Sequence, residues 1–304
     1  MKKQMTLDTL LTGAKANPGR VVVPCADNHE ALEAIVMALK DGIVNGGTLI
    51  GNLLAIEEVA KSVNLPLADF EIEETDDPAE AARMAARILA NGEGDFLLKG
   101  QIDTKIYMKA ILDKEFGLVP SGNTLSHVAI MDIPSYHKLL LATDAAITIE
   151  PTVQEKVKVV QNAIDICHGL GIARPKVSMV CAVEKVNPKM TSTVHAEQIV
   201  KLARDGVIKG GIVEGPYDFY ISVSKEGAAV KGVTGEVAGD ADILMFPEIN
   251  GANVFYKTIH QFVPGARVAG LIAGAKVPIV LPSRADPAET KRMSLVAAAY
   301  LKKR

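Results

Sequence analysis

Short apolar runs that do not alternate with polar residues, separated by stretches of helical period, constrain this chain more than any other feature. The runs lie at residues 20–24 (RVVVP), 48–51, 95–98 (DFLL), 146–149, 176–180, 211–213, 242–246 and 277–281. A strand with one wet face alternates, whereas a strand covered on both faces does not. Helical periodicity fills the intervals, at 30–39, 79–90, 154–167, 196–203 and 288–301. Strand and helix in repetition build βαβ units and predict an α/β fold with a parallel sheet covered by helices. Helix starts are marked as well. Asp77-Pro78-Ala79-Glu80 and Asp286-Pro287-Ala288-Glu289 each supply an N-cap, a proline at the first helical position and a glutamate three residues beyond the cap.

At roughly 150 residues per domain, the 304 residues make one large α/β domain or two ordinary ones. No solenoid-period repeat, low-complexity stretch or linker divides the chain. Two domains would therefore be closely joined, with 134–137 (PSYH) as the candidate crossing point. A hydrophobic fraction of 48% with 23% charged residues excludes a disordered chain. With 33 Lys+Arg against 36 Asp+Glu the formal net charge is −3, which argues against a broad nucleic-acid or anionic-membrane face. The best apolar candidate for a span, 268–281, is broken by Lys276 and Pro278, so no membrane span is expected. The start MKKQMTLDTL has lysines but no apolar core, so no signal peptide is expected. Cys25, Cys167 and Cys181 sit far apart without metal spacing, which fits a reduced cytoplasmic protein with no metal site.

The common nucleotide and hydrolase signatures are missing. Gly92 and Gly94 begin a GxG, but Leu97 stands where the third glycine belongs. No GK dipeptide and no GxSxG occur, and His29-Glu30-Ala31-Leu32-Glu33 ends in Glu rather than the His of a zinc helix. Chemistry in an open α/β sheet belongs at the carboxyl ends of strands, where loops become helix N-termini.

Four turns carry suitable groups. Lys99 and Gly100 follow a strand ahead of a helix opening at Asp103 or Thr104, with Lys105 and Lys109 beyond. Glycine admits an anion close to backbone and lysine adds charge, although a tight turn with a solvated lysine explains these residues equally well. Asn250 reads as an N-cap with small residues behind it, then Asn253 and Lys257. That is a phosphate seat on a helix dipole or a plain cap. Ser283 and Arg284 stand between an apolar strand and a capped helix, and Arg is a forked, permanently charged donor. Ser126 and His127 are neighbours entering a strand, so their side chains point to opposite faces and cannot form a Ser–His pair. Cys25 ends a strand ahead of a helix and reads as a small buried hydrophobe rather than a thiolate.

Eight stretches recur in one order: 98–105 (LKGQIDTK), 125–133 (LSHVAIMDI), 140–151 (LLATDAAITIEP), 187–196 (NPKMTSTVHA), 213–216 (VEGP), 235–247 (GEVAGDADILMFP), 250–257 (NGANVFYK) and 281–287 (LPSRADP). In this order they resemble the phosphate acetyl/butyryltransferase family, most closely its butyryl-preferring branch. The resemblance covers the chain from about residue 20 to its end. It implies two three-layer α/β/α domains of the isocitrate/isopropylmalate dehydrogenase-like fold flanking a cleft. The first would be 1–136 plus 283–304 and the second 137–282, with the active site in the cleft. It implies a homodimer or a dimer-based oligomer, with no bound cofactor and with coenzyme A thioester and phosphate as substrates. The reaction would be reversible transfer of a short acyl group from coenzyme A to phosphate.

By the same resemblance Ser283, Arg284 and Ser126 face the reacting groups, with Asn250 and Asn253 beside them. Arg284 and one of Lys99, Lys105 or Lys109 would hold phosphate; Gly100, His127 and Lys257 complete the substrate-binding set. Two positions depart from the acetyl-preferring branch. Its catalytic aspartate is replaced by Thr290, which leaves the adjacent Glu289 as a general base or as a mere capping carboxylate for Asp286. Its helix arginine is replaced by lysine, which balances charge without a fork. The alternatives are a phosphate acetyltransferase, a decarboxylating dehydrogenase of the related fold and a non-catalytic coenzyme A-binding module. The dehydrogenase needs paired aspartates for Mg²⁺ and an arginine cluster, and neither can be assembled here.

Overall fold

The computed structural model describes residues 5–282 and 286–302. The chain divides into a terminal unit, 5–123 with 269–302, and an internal unit, Thr124–Val268. The terminal unit runs α1 (Leu7–Lys15), β1 (Gly19–Pro24), α2 (His29–Lys40), β2 (Val44–Gly51), α3 (Leu53–Val63), β3 (Phe70–Glu74), α4 (Pro78–Ala90), β4 (Phe96–Leu98) and α5 (Thr104–Ile111). The internal unit follows with β5 (Ser126–Asp132), β6 (Leu140–Thr143), α6 (Val153–Gly169), β7 (Lys176–Val180), α7 (Thr191–Arg204), β8 (Ile212–Tyr217), α8 (Phe219–Val223), α9 (Lys225–Val230), β9 (Ile243–Met245) and α10 (Ile249–Phe262). The chain re-enters the terminal unit within β10 (Arg267–Ala273) and ends with β11 (Ile279–Val280) and α11 (Ala288–Leu301).

Strand order in the terminal unit is β3-β2-β1-β4-β11-β10. All of its pairings are parallel except β10 with β11. The helices fall into two contacting groups, α3, α2, α11 and α1 in one and α4 with α5 in the other. A sheet wound outward in both directions from β1 requires this division, because right-handed crossovers place the two sets on opposite faces. Val21, Val22 and Val23 in β1 are fully buried, as the run RVVVP predicts for a strand covered on both sides. The internal sheet runs β5-β6-β9-β7-β8, parallel except for β5 with β6. Its core gathers Ala129, Met131, Leu140, Ala142, Leu244 and Ala252.

Polar side chains start most of the helices. Asn28 caps α2 through the Ala31 N–H, Asn52 caps α3 through Ala55, and Asp77 caps α4 with Pro78 at the first helical position. Thr152 and Glu155 form a reciprocal capping box at α6.

Several expectations are corrected. The sheets are mixed rather than wholly parallel. Residues 134–137 are no crossing between units but the turn of an antiparallel hairpin, with Met131 opposite Leu140 and Ile130 opposite Leu141. The run 146–149 is no strand, since its N–H groups fold onto the Asp144 carboxylate instead of onto a neighbouring chain. The α11 N-cap is Pro287, without a side-chain cap bond, so Asp286 and Glu289 do not form the expected capping box. Among the described residues no helix is long and apolar enough to cross a membrane.

Candidate functional site

In the terminal unit the strand order reverses at β1, with β2 to one side and β4 to the other. The crevice beyond the carboxyl ends of β1 and β4 is therefore the topological switch point, where open α/β sheets bind ligands. An open pocket of 390 Å³ occupies it, lined by Asn28 and Glu30 after β1, Lys99 to Asp103 after β4, Pro282 after β11, and Lys291 of α11. The N-termini of α2 and α5 open here, each bringing a positive dipole end. A second pocket of 210 Å³ shares Gln101 and extends past the ends of β1, β2 and β3, lined by Asp27, Asn52, Thr75 and Asp76 among others.

Gly100 has a packing reason. A Cβ there would sit 2.1 Å from the Cys25 carbonyl oxygen, the acceptor for the Gln101 N–H at 2.8 Å. The turn after β4 thus crosses directly over the end of β1. Cys25 has φ +52° and is buried. Burial first, then Asp27 and Asp77, push its thiol up to about 11 against the pull of Lys99, which leaves it protonated and weakly nucleophilic at neutral pH. Lys99, half-buried, directs Nζ toward the Gly100 carbonyl at 3.4 Å.

Helical phase separates the other lysines of this turn from the pocket. Tyr107, Ala110 and Ile111 form the buried face of α5, and Lys105 and Lys109 are exposed. Asp103 accepts from the N–H groups of Lys105 and Ile106, so it serves as the α5 cap. Ser283 and Arg284 lie outside the described residues. Both carboxylate oxygens of Glu289 accept from Arg292 Nη1 at 2.9 Å, and Thr290 is buried.

In the internal unit the antiparallel course of β5 brings its first residues beside the carboxyl end of β6, with Val128 opposite Thr143. Ser126 and His127, the first two residues of β5, therefore stand at the carboxyl-end edge of this sheet although they open their own strand. They point to opposite faces, as expected. Ser126 Oγ accepts from Asn162 Nδ2 of α6 at 3.0 Å, and the His127 ring lies 5.9 Å from that of Tyr256 on α10. Asp144, which sequence reasoning passed over, organises the edge. Its carboxylate accepts from the N–H groups of His127, Ala146, Ile147 and Thr148 and from Thr148 Oγ1.

The asparagine turn differs in one respect from its sequence reading. Glu248, not Asn250, caps α10, accepting from the N–H groups of Asn250 and Gly251 and from Asn250 Nδ2. Burial would raise its pKa, but these donors and the nearby Lys156 charge lower it. Asn253 Nδ2 donates to the Ala145 carbonyl at 2.8 Å and Lys257 is exposed.

A second group missed by the sequence is Lys156 on α6, which is 4% exposed with Nζ 3.0 Å from His195 Nδ1. Burial holds both its ammonium and the His195 imidazole below their ordinary pKa values. A neutral imidazole accepting from the ammonium fits that geometry. The one prior signal was the position of His195 within NPKMTSTVHA.

The family model for phosphate acetyl/butaryl transferase matches residues 73–299. The phosphate butyryltransferase of Clostridium beijerinckii is 41% identical over 97% of this chain and 97% of its own length. That of Clostridium acetobutylicum is 39% identical over 93% of each. The phosphate acetyltransferase of Thermotoga maritima is 36% identical over 97% of this chain and 99% of its own. Among solved structures, a branched-chain phosphotransacylase from Enterococcus faecalis superposes with a TM-score of 0.82 at 32% identity, covering 93% of this chain and 98% of that one. The phosphotransacetylase of Staphylococcus aureus, at 18% identity and a TM-score of 0.78 over 98% and 99% of the two chains, shares the fold. The chain is an acyltransferase and belongs to the phosphate acetyl/butyryltransferase family.

Proposed function

We propose that the chain prefers butyryl among the short acyl groups that its family moves between coenzyme A and phosphate, and that it acts as a cytoplasmic homodimer without a bound cofactor. The observation that carries the acyl preference is the 41% identity to a phosphate butyryltransferase across 97% of both lengths, above the 36% to a phosphate acetyltransferase. Phosphate is placed in the switch-point pocket, where two helix N-termini and Lys99 supply positive charge. Arg284 joins Lys99 on phosphate, while Ser283 and Ser126 donate to the acyl oxygen or orient the thiol. The sequence resemblance supports these three roles.

Positioning rather than covalent catalysis accounts for the rate in this reading. Holding phosphate and thioester in near-attack geometry contributes about 7–11 kcal/mol. Each good donor to the tetrahedral oxyanion adds about 3–4 kcal/mol. The protonated Cys25 thiol offers no activated nucleophile, which favours direct attack by phosphate in a ternary complex. Phosphate is already anionic and needs no base. Only the reverse attack by the coenzyme A thiol does, and Glu289 is the carboxylate assigned to it.

Thiol release from acetyl-, propionyl-, butyryl-, isobutyryl- and valeryl-CoA, with and without phosphate, tests the reading. Phosphate-dependent release with kcat/KM highest for butyryl-CoA is the expected result. A maximum at isobutyryl-CoA would move the preference to branched chains, the substrate class of the Enterococcus faecalis structure. Release indifferent to phosphate would mean a thioesterase.

A further inference from the structure

We propose that Lys291 is a phosphate-binding residue of the acyl-transfer site, gripping inorganic phosphate and the phosphoryl group of the acyl phosphate across the switch-point pocket from Lys99. The inference rests on the acyl-transfer reading above and adds a residue to it. Lys291 is 4% exposed, on a helix whose neighbouring buried positions are Met293, Leu295, Val296 and Ala297. A lysine stem buried this far places its ammonium where the helix gives way to a cavity, and Lys291 lines the 390 Å³ pocket.

With the stem packed, the ammonium is the part of Lys291 that meets the pocket, and it is held there without the freedom of a surface lysine. Among the described residues no ion pair within 4.0 Å and no hydrogen bond satisfies that ammonium. Its influence is felt by Glu30, held below the usual carboxylate range by its own backbone N–H, against burial, and then by Lys291. Glu30 is itself engaged by Asn28 Nδ2 at 3.0 Å, and Asp103 is engaged as the α5 cap. The two carboxylates of the pocket thus have donors of their own, while Lys99 and Lys291 face a space where the N-termini of α2 and α5 also open. Two cations and two positive dipole ends outweigh the charges of Glu30 and Asp103 around this small open cavity and favour a compact anion. Pro282 lines the same pocket and immediately precedes Ser283 and Arg284, the pair assigned to phosphate. Lys105 and Lys109, the lysines read from sequence as partners of that pair, are turned outward, and Lys291 supplies the charge they were expected to bring.

The test is a split of kinetic constants in Lys291→Met and Lys291→Arg, measured as acyl phosphate formation from butyryl-CoA. Loss of one charge-assisted contact raises the phosphate KM of Lys291→Met by about tenfold or more. Its acyl-CoA KM stays within about twofold, and Lys291→Arg recovers most of the loss. A folded Lys291→Met with an unchanged phosphate KM overturns the proposal. So does a rise in the acyl-CoA KM alone, which would assign Lys291 to the phosphates of coenzyme A. Should Lys291→Met fail to fold, the wild-type protein labelled with ¹³Cε-lysine gives the answer. The resonance absent from Lys291→Arg must shift with added inorganic phosphate and saturate near the phosphate KM, and a resonance that does not move overturns the assignment. Wild-type protein without phosphate-dependent thiol release would sink the acyl-transfer reading itself, whereas an active wild type beside an indifferent variant sinks Lys291 alone.

Discussion

A single carboxylate shapes the loop that follows β6. The segment 144–148 turns away from the sheet, and its half-buried N–H groups take Asp144 as their acceptor in place of a neighbouring strand. Asp144 is 2% exposed and also takes the His127 N–H, so it ties the start of β5 to the end of β6. Asn at this position keeps one acceptor oxygen but presents an amide N–H to the Thr148 N–H and hydroxyl that Oδ2 now accepts. We expect Asp144→Asn to lose about 3 kcal/mol of stability, the sum of charge-assisted bonds lost and donors left unmet. Urea unfolding with a lowered midpoint and an unchanged slope would show it. An unchanged midpoint would mean that the loop finds other acceptors. The sequence hid this carboxylate because the apolar residues behind it read as a strand, and local pattern does not register one side chain gathering four backbone donors. Lys291 was hidden for a related reason. A lysine in a helix reads as solvated until tertiary packing shows which face is covered.

At the scale of elements, charge is sorted between the two ends of the internal sheet. The carboxyl ends of its strands carry the Asp144 loop and the Glu248 turn, while the amino ends carry an ion network. Asp240 accepts from Lys176 at the start of β7, from His137 in the hairpin turn and from Lys138, and Asp242 pairs with Lys138 just before β9. Burial alone would raise the Asp240 pKa, but Lys176, His137 and Lys138 together hold it well below the usual carboxylate range. A carboxylate with a depressed folded pKa contributes stability that is complete above its unfolded value, about 3.9. That contribution is lost as pH falls through the folded value. Asp240→Asn should therefore lower stability near neutral pH by about 1 kcal/mol, a modest figure because the network is open to solvent. The gap to wild type should close progressively as pH drops below about 4. Melting temperatures of the two proteins from pH 7 to pH 3 check this, and a gap that stays constant would remove Asp240 from the acid response. Strands such as RVVVP and KVSMV were legible from sequence because double-sided burial leaves a continuous apolar run. The hairpin of β5 and β6 was not, since 134–137 resembles an interruption between domains as much as a turn.

At the scale of the whole chain, the terminal unit is assembled from both ends of the sequence. β4 has β11 as its partner on the side away from β1, and α11 contacts α1, α2, β4 and β11. Residues 1–123 alone would lack that strand and helix, exposing an unpaired β4 edge and the apolar faces that Met293, Leu295 and Val296 cover. The internal unit lies in one continuous stretch, with its sheet from β5 to β8 and the core around Met131 and Leu244 inside it. Expressed separately, 124–268 is therefore expected to unfold cooperatively on heating, as a compact unit with its own core does. Residues 1–123 are expected to aggregate or to melt without a transition, and co-expression with 269–304 should restore a cooperative melt. Circular dichroism of the three samples decides between this and a fold in which each unit depends on the other. If 124–268 melts without a transition while 1–123 with 269–304 folds, the dependence runs one way. The internal sheet would then form only on a template supplied by the terminal unit, and folding would begin only after residues 269–304 had been synthesised.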